Sequence, residues 1–330
     1  MTIPSFKILK KNAAERVAAA ENEKKIVLIY AVSIALLALI VTAVNYLLEL
    51  QIGETGGLSN MGLRTVLSTF QSVIPIIQNF IAMCLNVGFL AAMLRISRRQ
   101  YASEKTLKLG FDRFWVLLRA SLFQGCMYMM AGMAASWLAV LVYMLTPLSN
   151  SLQQLLEPMV SDPSFDVAAL ETMTLSDEVI FSMIPLFILF GILYLAFMIP
   201  ISYNLRMVNY IIIDKPGMGA MLAIGQSRAI MRGHRMRLFK LDLSLWWWYA
   251  ISVFSSFLAY GDMLLISAGI TLPWSETVSY FLFYILYLVV QFSACWFFRS
   301  RVEVVYAQVY DALKPREKQE GVVLGNIFQM

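Results

Sequence analysis

Residues 26–48 read IVLIYAVSIALLALIVTAVNYLL, a run with no charged side chain in which only Ser33, Thr42, Asn45 and two tyrosines carry a polar group. A helix needs about 20 predominantly apolar residues to cross the hydrocarbon core of a bilayer, and this run meets that length. A cleaved leader would have a short basic region before its apolar stretch and a small-x-small site after it. Here residues 1–25 come first, Glu15, Glu21 and Glu23 among them, and no such site follows. The run reads as an uncleaved membrane span.

The rest of the chain agrees with that reading. Hydrophobic residues make up 59% and charged residues 14% of the 330 positions, and the mean hydropathy is +0.69. A soluble domain averages about 45–50% apolar and about 25% charged residues. A soluble chain of this composition would have to hide more apolar surface than its polar residues could cover. Further apolar runs lie at about 69–93, 114–145, 179–201, 241–270 and 278–298. The expected fold is all-α, a polytopic membrane protein with six transmembrane helices. The 114–145 run exceeds a straight crossing, so its ends are expected to tilt or lie in the interface.

Charge gives the direction of each crossing. Lys7, Lys10, Lys11, Arg16, Lys24 and Lys25 precede the first run; Arg95, Arg98, Arg99, Lys105, Lys108 and Arg113 lie between the second and third. Arg206, Lys215 and a dense cluster lie between the fourth and fifth, and Arg299, Arg301, Lys314, Arg316 and Lys318 follow the sixth. The intervening connections hold only Arg64, while the one at 149–178 holds Glu157, Asp162, Asp166, Glu171, Asp177 and Glu178. Basic loops stay in the cytoplasm, so both termini are expected there, in a bacterial cytoplasmic membrane. The chain then divides into a basic amphipathic segment at 1–25, a six-helix domain at 26–313 with an acidic outer loop at 149–178, and a tail at 314–330. Similar basic segments precede each odd-numbered span, which suggests three tandem hairpins of one orientation.

The dense cluster belongs to SRAIMRGHRMRLFKLDLSLWWWYA, residues 227–250. Arg228, Arg232, Arg235, Arg237 and Lys240 run into Trp246, Trp247 and Trp248, whose amphipathic rings suit a membrane interface. In a soluble protein such cations would suggest nucleic acid. Beside a span they suggest anionic lipid headgroups, and no nucleic-acid partner is expected. Gly233 is expected to break an interfacial helix before the fifth span.

Ser227, Met231, Gly233, Leu238, Phe239, Leu241 and Ser244 fall on the pattern S-x-x-hydrophobic-Met-basic-Gly-x-x-x-x-hydrophobic-Phe-x-Leu-x-hydrophobic-Ser. On these residues the chain resembles the bacterial integral-membrane domain-of-unknown-function family nine-seventy-five. GFDRFWVLL at the third span and VEVVYAQVYDALK after the sixth extend the resemblance over most of the chain. It implies a polytopic bacterial membrane protein, distantly similar to the membrane domain of some glycerophosphodiester phosphodiesterases. It assigns no catalytic residue.

Little in the sequence points to chemistry. His234 is the sole histidine, too few for an HExxH or a triad, and no metal or cofactor is expected. The three cysteines, Cys84, Cys126 and Cys295, lie in apolar runs without CxxC spacing and read as buried thiols. Asp262 lies in a span, but Asp242 is about 30 Å away along one continuous helix, too far for a shared proton. Asp262, Asn79, Gln78, Asn86 and Arg119 are the intramembrane polar candidates, and interhelical hydrogen bonding or snorkelling accounts for them more simply than a substrate path. MYMMAGMAASW, residues 127–137, reads as close helix packing through small residues. The expected function is a non-enzymatic envelope component that binds lipid, a membrane partner or a second copy of itself. A transporter of small or amphipathic molecules is the alternative.

Overall fold

The computed structural model describes residues 4–54, 61–146, 177–267 and 274–314. Among these residues the ordered structure is helical, with no strand. In chain order the helices are α1 (Phe6–Ala18), α2 (Glu23–Glu54), α3 (Met61–Ser97), α4 (Phe114–Met144), α5 (Asp177–Leu205), α6 (Val208–Asp214), α7 (Ala220–Met231), α8 (Arg235–Ser244), α9 (Trp246–Ala259), α10 (Gly261–Ser267), α11 (Glu276–Ala294) and α12 (Ser300–Leu313). A short 3-10 turn (Glu104–Lys108) and a single α-turn (Leu109–Asp112) join α3 to α4. A π-helical turn (Cys295–Arg299) joins α11 to α12. The acidic loop up to residue 176, and the tail beyond residue 314, lie outside the described residues.

Five helical stretches among the described residues are long and apolar enough to cross a membrane: Glu23–Ile52, Gly62–Ser97, Phe114–Met144, Ile184–Asp214 and Thr277–Leu313. The expected span at 241–270 is not one of them. It is divided at Leu245 and Tyr260, so that α8, α9 and α10 are separate helices of 10, 14 and 7 residues. The start of that run, Leu241 to Ser244, belongs instead to the basic and polar helix Arg235–Ser244, which moves the start of the apolar segment to Trp246. Gly233 separates α7 from α8 with φ +82, the break its position predicted. Nothing lies within 4 Å of a Cβ added there. Gly233→Ala is therefore expected to cost only the left-handed backbone term, about 1 kcal/mol. Thermal unfolding in detergent measures it, and a loss of several kcal/mol would show that packing matters there too.

The chain forms two compact units, Met1–Arg119 with Met207–Met330, and Ala120–Arg206. In the first unit burial is concentrated at one end. Leu9, Ala13 and Val17 of α1, Val87, Phe89 and Ala91 to Leu94 of α3, Met207 to Ile212 around α6, Met231 of α7 and Leu238 of α8 join almost every face of α12 in one core. The outer halves of α2 and α3 and much of α9 and α11 instead present Leu36, Ile40, Leu47, Phe70, Ile76, Phe254 and Ile285 outward. This division explains why α3 spans 37 residues where the apolar run predicts 25. Its outward-facing apolar part belongs to a stretch long enough to cross a membrane, and the helix then continues as a core element of the basic end. The N-terminal basic segment is likewise more than a surface strip, because the i, i+4 stripe Leu9–Ala13–Val17 is buried as α1 packs on α12. Each such Leu or Val contributes roughly 1.5–3 kcal/mol when fully buried.

In the second unit, Ala131, Ala135 and Ala139 form a buried stripe on α4, and a Cβ on Gly132 would lie 3.6 Å from the Tyr194 ring. Small residues let that ring approach the α4 backbone, as the 127–137 sequence suggests. Met129, Met130 and Met133 face outward instead. Cys84 and Cys295 are buried as expected, but Cys126 is exposed. It lies on the outward face of a helix apolar on every side, so an apolar run does not tell which side is covered.

Candidate functional site at the basic end

The cations of the 227–250 stretch lie on α7, α8 and the turn between them. Arg228, Arg232, Arg235 and Lys240 are exposed, and Arg237 is half-buried. Beside them the same helices expose Met221, Leu222, Met236, Phe239 and Leu243, and α9 begins with Trp246 at 65% exposure. Ile230, Met231, Leu238 and Leu241 anchor the opposite faces in the core. Trp247 is held edge-on to Phe298, with ring centroids 4.9 Å apart, and Trp248 is half-buried. Lys10 of α1 donates to the carbonyl of Ser244 at 2.7 Å and ties the end of α8 down. Apolar and cationic side chains thus emerge together from a rigid base.

The intramembrane candidates separate. Asn79 and Arg119 are exposed, Gln78 and Asp262 are half-buried, and none of the four joins a described polar cluster. Asn86 does. Its Oδ1 accepts from the Tyr30 hydroxyl and from Arg299 at 2.8 Å. The Arg299 guanidinium lies 4.7 Å from the centroid of Tyr30 and 5.5 Å from that of Phe89, rings that stack on each other at 4.5 Å. The Arg299 cation is held here by direct contact with π faces and an amide, without an ion pair to a carboxylate among the described residues. Arg299 ends the π-helical turn, where the widened backbone re-aims side chains. Asp242, half-buried on α8, accepts from the Tyr306 hydroxyl, which also pairs with Tyr249 at 3.0 Å. It is on a different helix from Asp262, and a tyrosine is among its partners.

A second cluster, which sequence reading missed, joins three helix ends. Arg98, just past α3, contacts Asp214 at the end of α6 at 2.7 Å and Asp311 of α12 at 2.6 Å. Asp214, only 7% exposed, also receives Lys314 at 2.5 Å and the Tyr310 hydroxyl at 3.1 Å. Hydrogen bonding to Asp311, joined by Asp214 and opposed by burial, raises the Arg98 pKa above its ordinary value. Arg113 caps the same end by donating to the carbonyls of Ile212 and Pro216 at 3.1 and 2.9 Å. The available signal was Asp214 itself, a lone acid after Ile211, Ile212 and Ile213 in a basic connection.

No three His, Cys, Asp or Glu side chains gather as a metal set among the described residues. No curated protein and no solved structure matches the chain. The signature on α7 and α8, the basic approach to the first span and most of α12 all fall within the 7–308 stretch that matches a protein family of unknown function, and the chain is a member of that family, DUF975.

Proposed function

We propose that the protein is a non-enzymatic component of the bacterial cytoplasmic membrane, crossing it six times with both termini on the cytoplasmic side, whose basic end holds anionic lipid headgroups. The observation carrying this reading is the joint exposure on α7–α9 of Arg228, Arg232, Arg235 and Lys240 with Met236, Phe239, Leu243 and Trp246. Apolar side chains beside cations on a surface helix suit a leaflet better than water. The sixth crossing is α9 with α10, residues 246–267, about 33 Å of helix at 1.5 Å per residue. Packing of α2 on α3 and of α9 on α11 supports two hairpins, and the approach of Tyr194 on α5 to Gly132 on α4 supports a third. The polar groups grouped at this end bind one another across helix ends, which supports a scaffold rather than a reaction centre.

Brominated lipids test the reading through tryptophan fluorescence. In proteoliposomes, brominated phosphatidylglycerol should quench the intrinsic emission more strongly than brominated phosphatidylcholine at equal mole fraction. Each cation near an anionic surface contributes about 1 kcal/mol, so replacing Arg228, Arg232, Arg235 and Lys240 together by Gln should abolish the preference. High salt should weaken it in the wild type. Equal quenching by the two lipids in the wild type would overturn the proposal.

A further inference from the structure

A cavity of about 520 Å³ opens at the basic end between the turn from α1 to α2 and the chain leaving α3. Its volume falls within the roughly 300–1,000 Å³ of small-molecule sites. Arg16, Asn22, Glu23, Arg99 and Tyr101 contribute to its lining. Three of these complete the wall: Arg16 donates to the carbonyl of Ser97, and Asn22 donates to the Tyr101 hydroxyl at 2.9 Å.

Glu23 and Arg99 are different. Glu23 is 5% exposed as a residue, and its carboxylate, which has no hydrogen bond or ion pair with another described residue, is open to the cavity rather than sealed in the core. A carboxylate that faces a cavity without a protein donor takes its donors from whatever fills that space. It borders the cavity, so a ligand's ammonium group is the natural donor. Arg99 likewise has no ion pair with a described residue, and its backbone has φ +57. The amide of Arg99 donates to Ile96 at 3.0 Å and that of Gln100 to Arg95 at 2.9 Å, which closes α3 in a Schellman turn. Its left-handed position normally belongs to glycine. Here an exposed arginine occupies it, and Arg99 borders the same cavity as Glu23.

We propose that this cavity binds a small zwitterion, with Arg99 receiving its anionic group and Glu23 its primary ammonium. The proposal goes beyond attraction to an anionic leaflet and stands without it. Phosphoethanolamine carries both charges and occurs free or as a lipid headgroup, so two probes distinguish the sources. Phosphoethanolamine and dihexanoyl phosphatidylethanolamine are each titrated calorimetrically into the full-length protein in detergent, with phosphocholine and dihexanoyl phosphatidylcholine as counterparts lacking N–H donors. At least one ethanolamine compound should bind, and at least about tenfold tighter than its choline counterpart, as expected for a charge-assisted hydrogen bond. Binding of the free compound alone identifies a soluble ligand; binding of the lipid alone identifies a headgroup. Glu23→Gln and Arg99→Gly should each weaken binding by about tenfold or more. Arg99→Gly should melt at or above the wild type, because glycine relaxes the turn, so lost binding cannot be ascribed to unfolding. The proposal is overturned if neither ethanolamine compound binds, if the choline compounds bind equally well, or if Arg99→Gly keeps wild-type affinity.

Discussion

Gly88→Ala and Gly110→Ala should each destabilise the protein by about 3 kcal/mol or more, at or beyond the upper end of the usual cost of overpacking. A Cβ on Gly110 would lie 1.9 Å from the carbonyl oxygen of Cys84, and one on Gly88 would lie 2.1 Å from that of Leu107. Both obstacles are backbone, so no rotamer change relieves the clash. The two glycines are reciprocal: Gly88 on α3 admits the 3-10 turn, and Gly110 beyond that turn admits α3. This contact sets the chain between the second and third spans against the core of the basic end. Gly62, Gly125 and Gly191 provide the comparison, since nothing lies within 4 Å of an added Cβ at any of them. Alanine at those helical sites should be neutral or stabilising by up to about 1 kcal/mol. Thermal or denaturant unfolding in detergent should order the five variants in that way. A Gly110→Ala protein that unfolds like the wild type would refute the close approach.

The spans were legible because a bilayer selects on length and apolarity alone, and 26–48 or 179–201 carry both in a continuous run. The core of the basic end was not legible for a related reason. In α3 the apolar period does not change where Ile76 and Ile77 face outward and Phe89 and Met93 face other helices. Hydropathy cannot distinguish lipid from protein as the apolar neighbour. The same ambiguity hides Cys126. Gly233 was read correctly as a helix break, but the break at Leu245 carries neither glycine nor proline, and the one at Tyr260 is marked only by the adjacent Gly261. Of the intramembrane polar candidates only Asn86 entered a cluster, because its place on α3 faces Tyr30 and the π-helical turn. Arg98 and Arg99 were counted as loop charge that sets orientation. One of them ties three helix ends together, while its neighbour borders a cavity. Sequence alone assigns both to the same basic loop.

Asp214→Ala should cost about 2–4 kcal/mol, somewhat below the figure for a fully buried pair, because its cations are nearly a third exposed and partly screened by water. The carboxylate is the shared acceptor of Arg98, Lys314 and Tyr310, so removing it leaves three donors on α12 and the end of α3 without that partner. Arg98 keeps Asp311, which limits the loss. Lys314→Ala removes only one partly exposed partner and should cost less than about 1 kcal/mol. The double variant Arg98→Ala with Asp214→Ala should be less damaged than the two single losses added together, by about 1–3 kcal/mol, as for directly interacting residues. Strict additivity in that cycle, measured by unfolding in detergent, would mean that the cluster is surface charge without a structural role. Coupling of the expected size would show that the ends of α3, α6 and α12 move as one body. The turn that begins at Arg98 and borders the cavity at Arg99 would then be fixed in place by the same ion pairs.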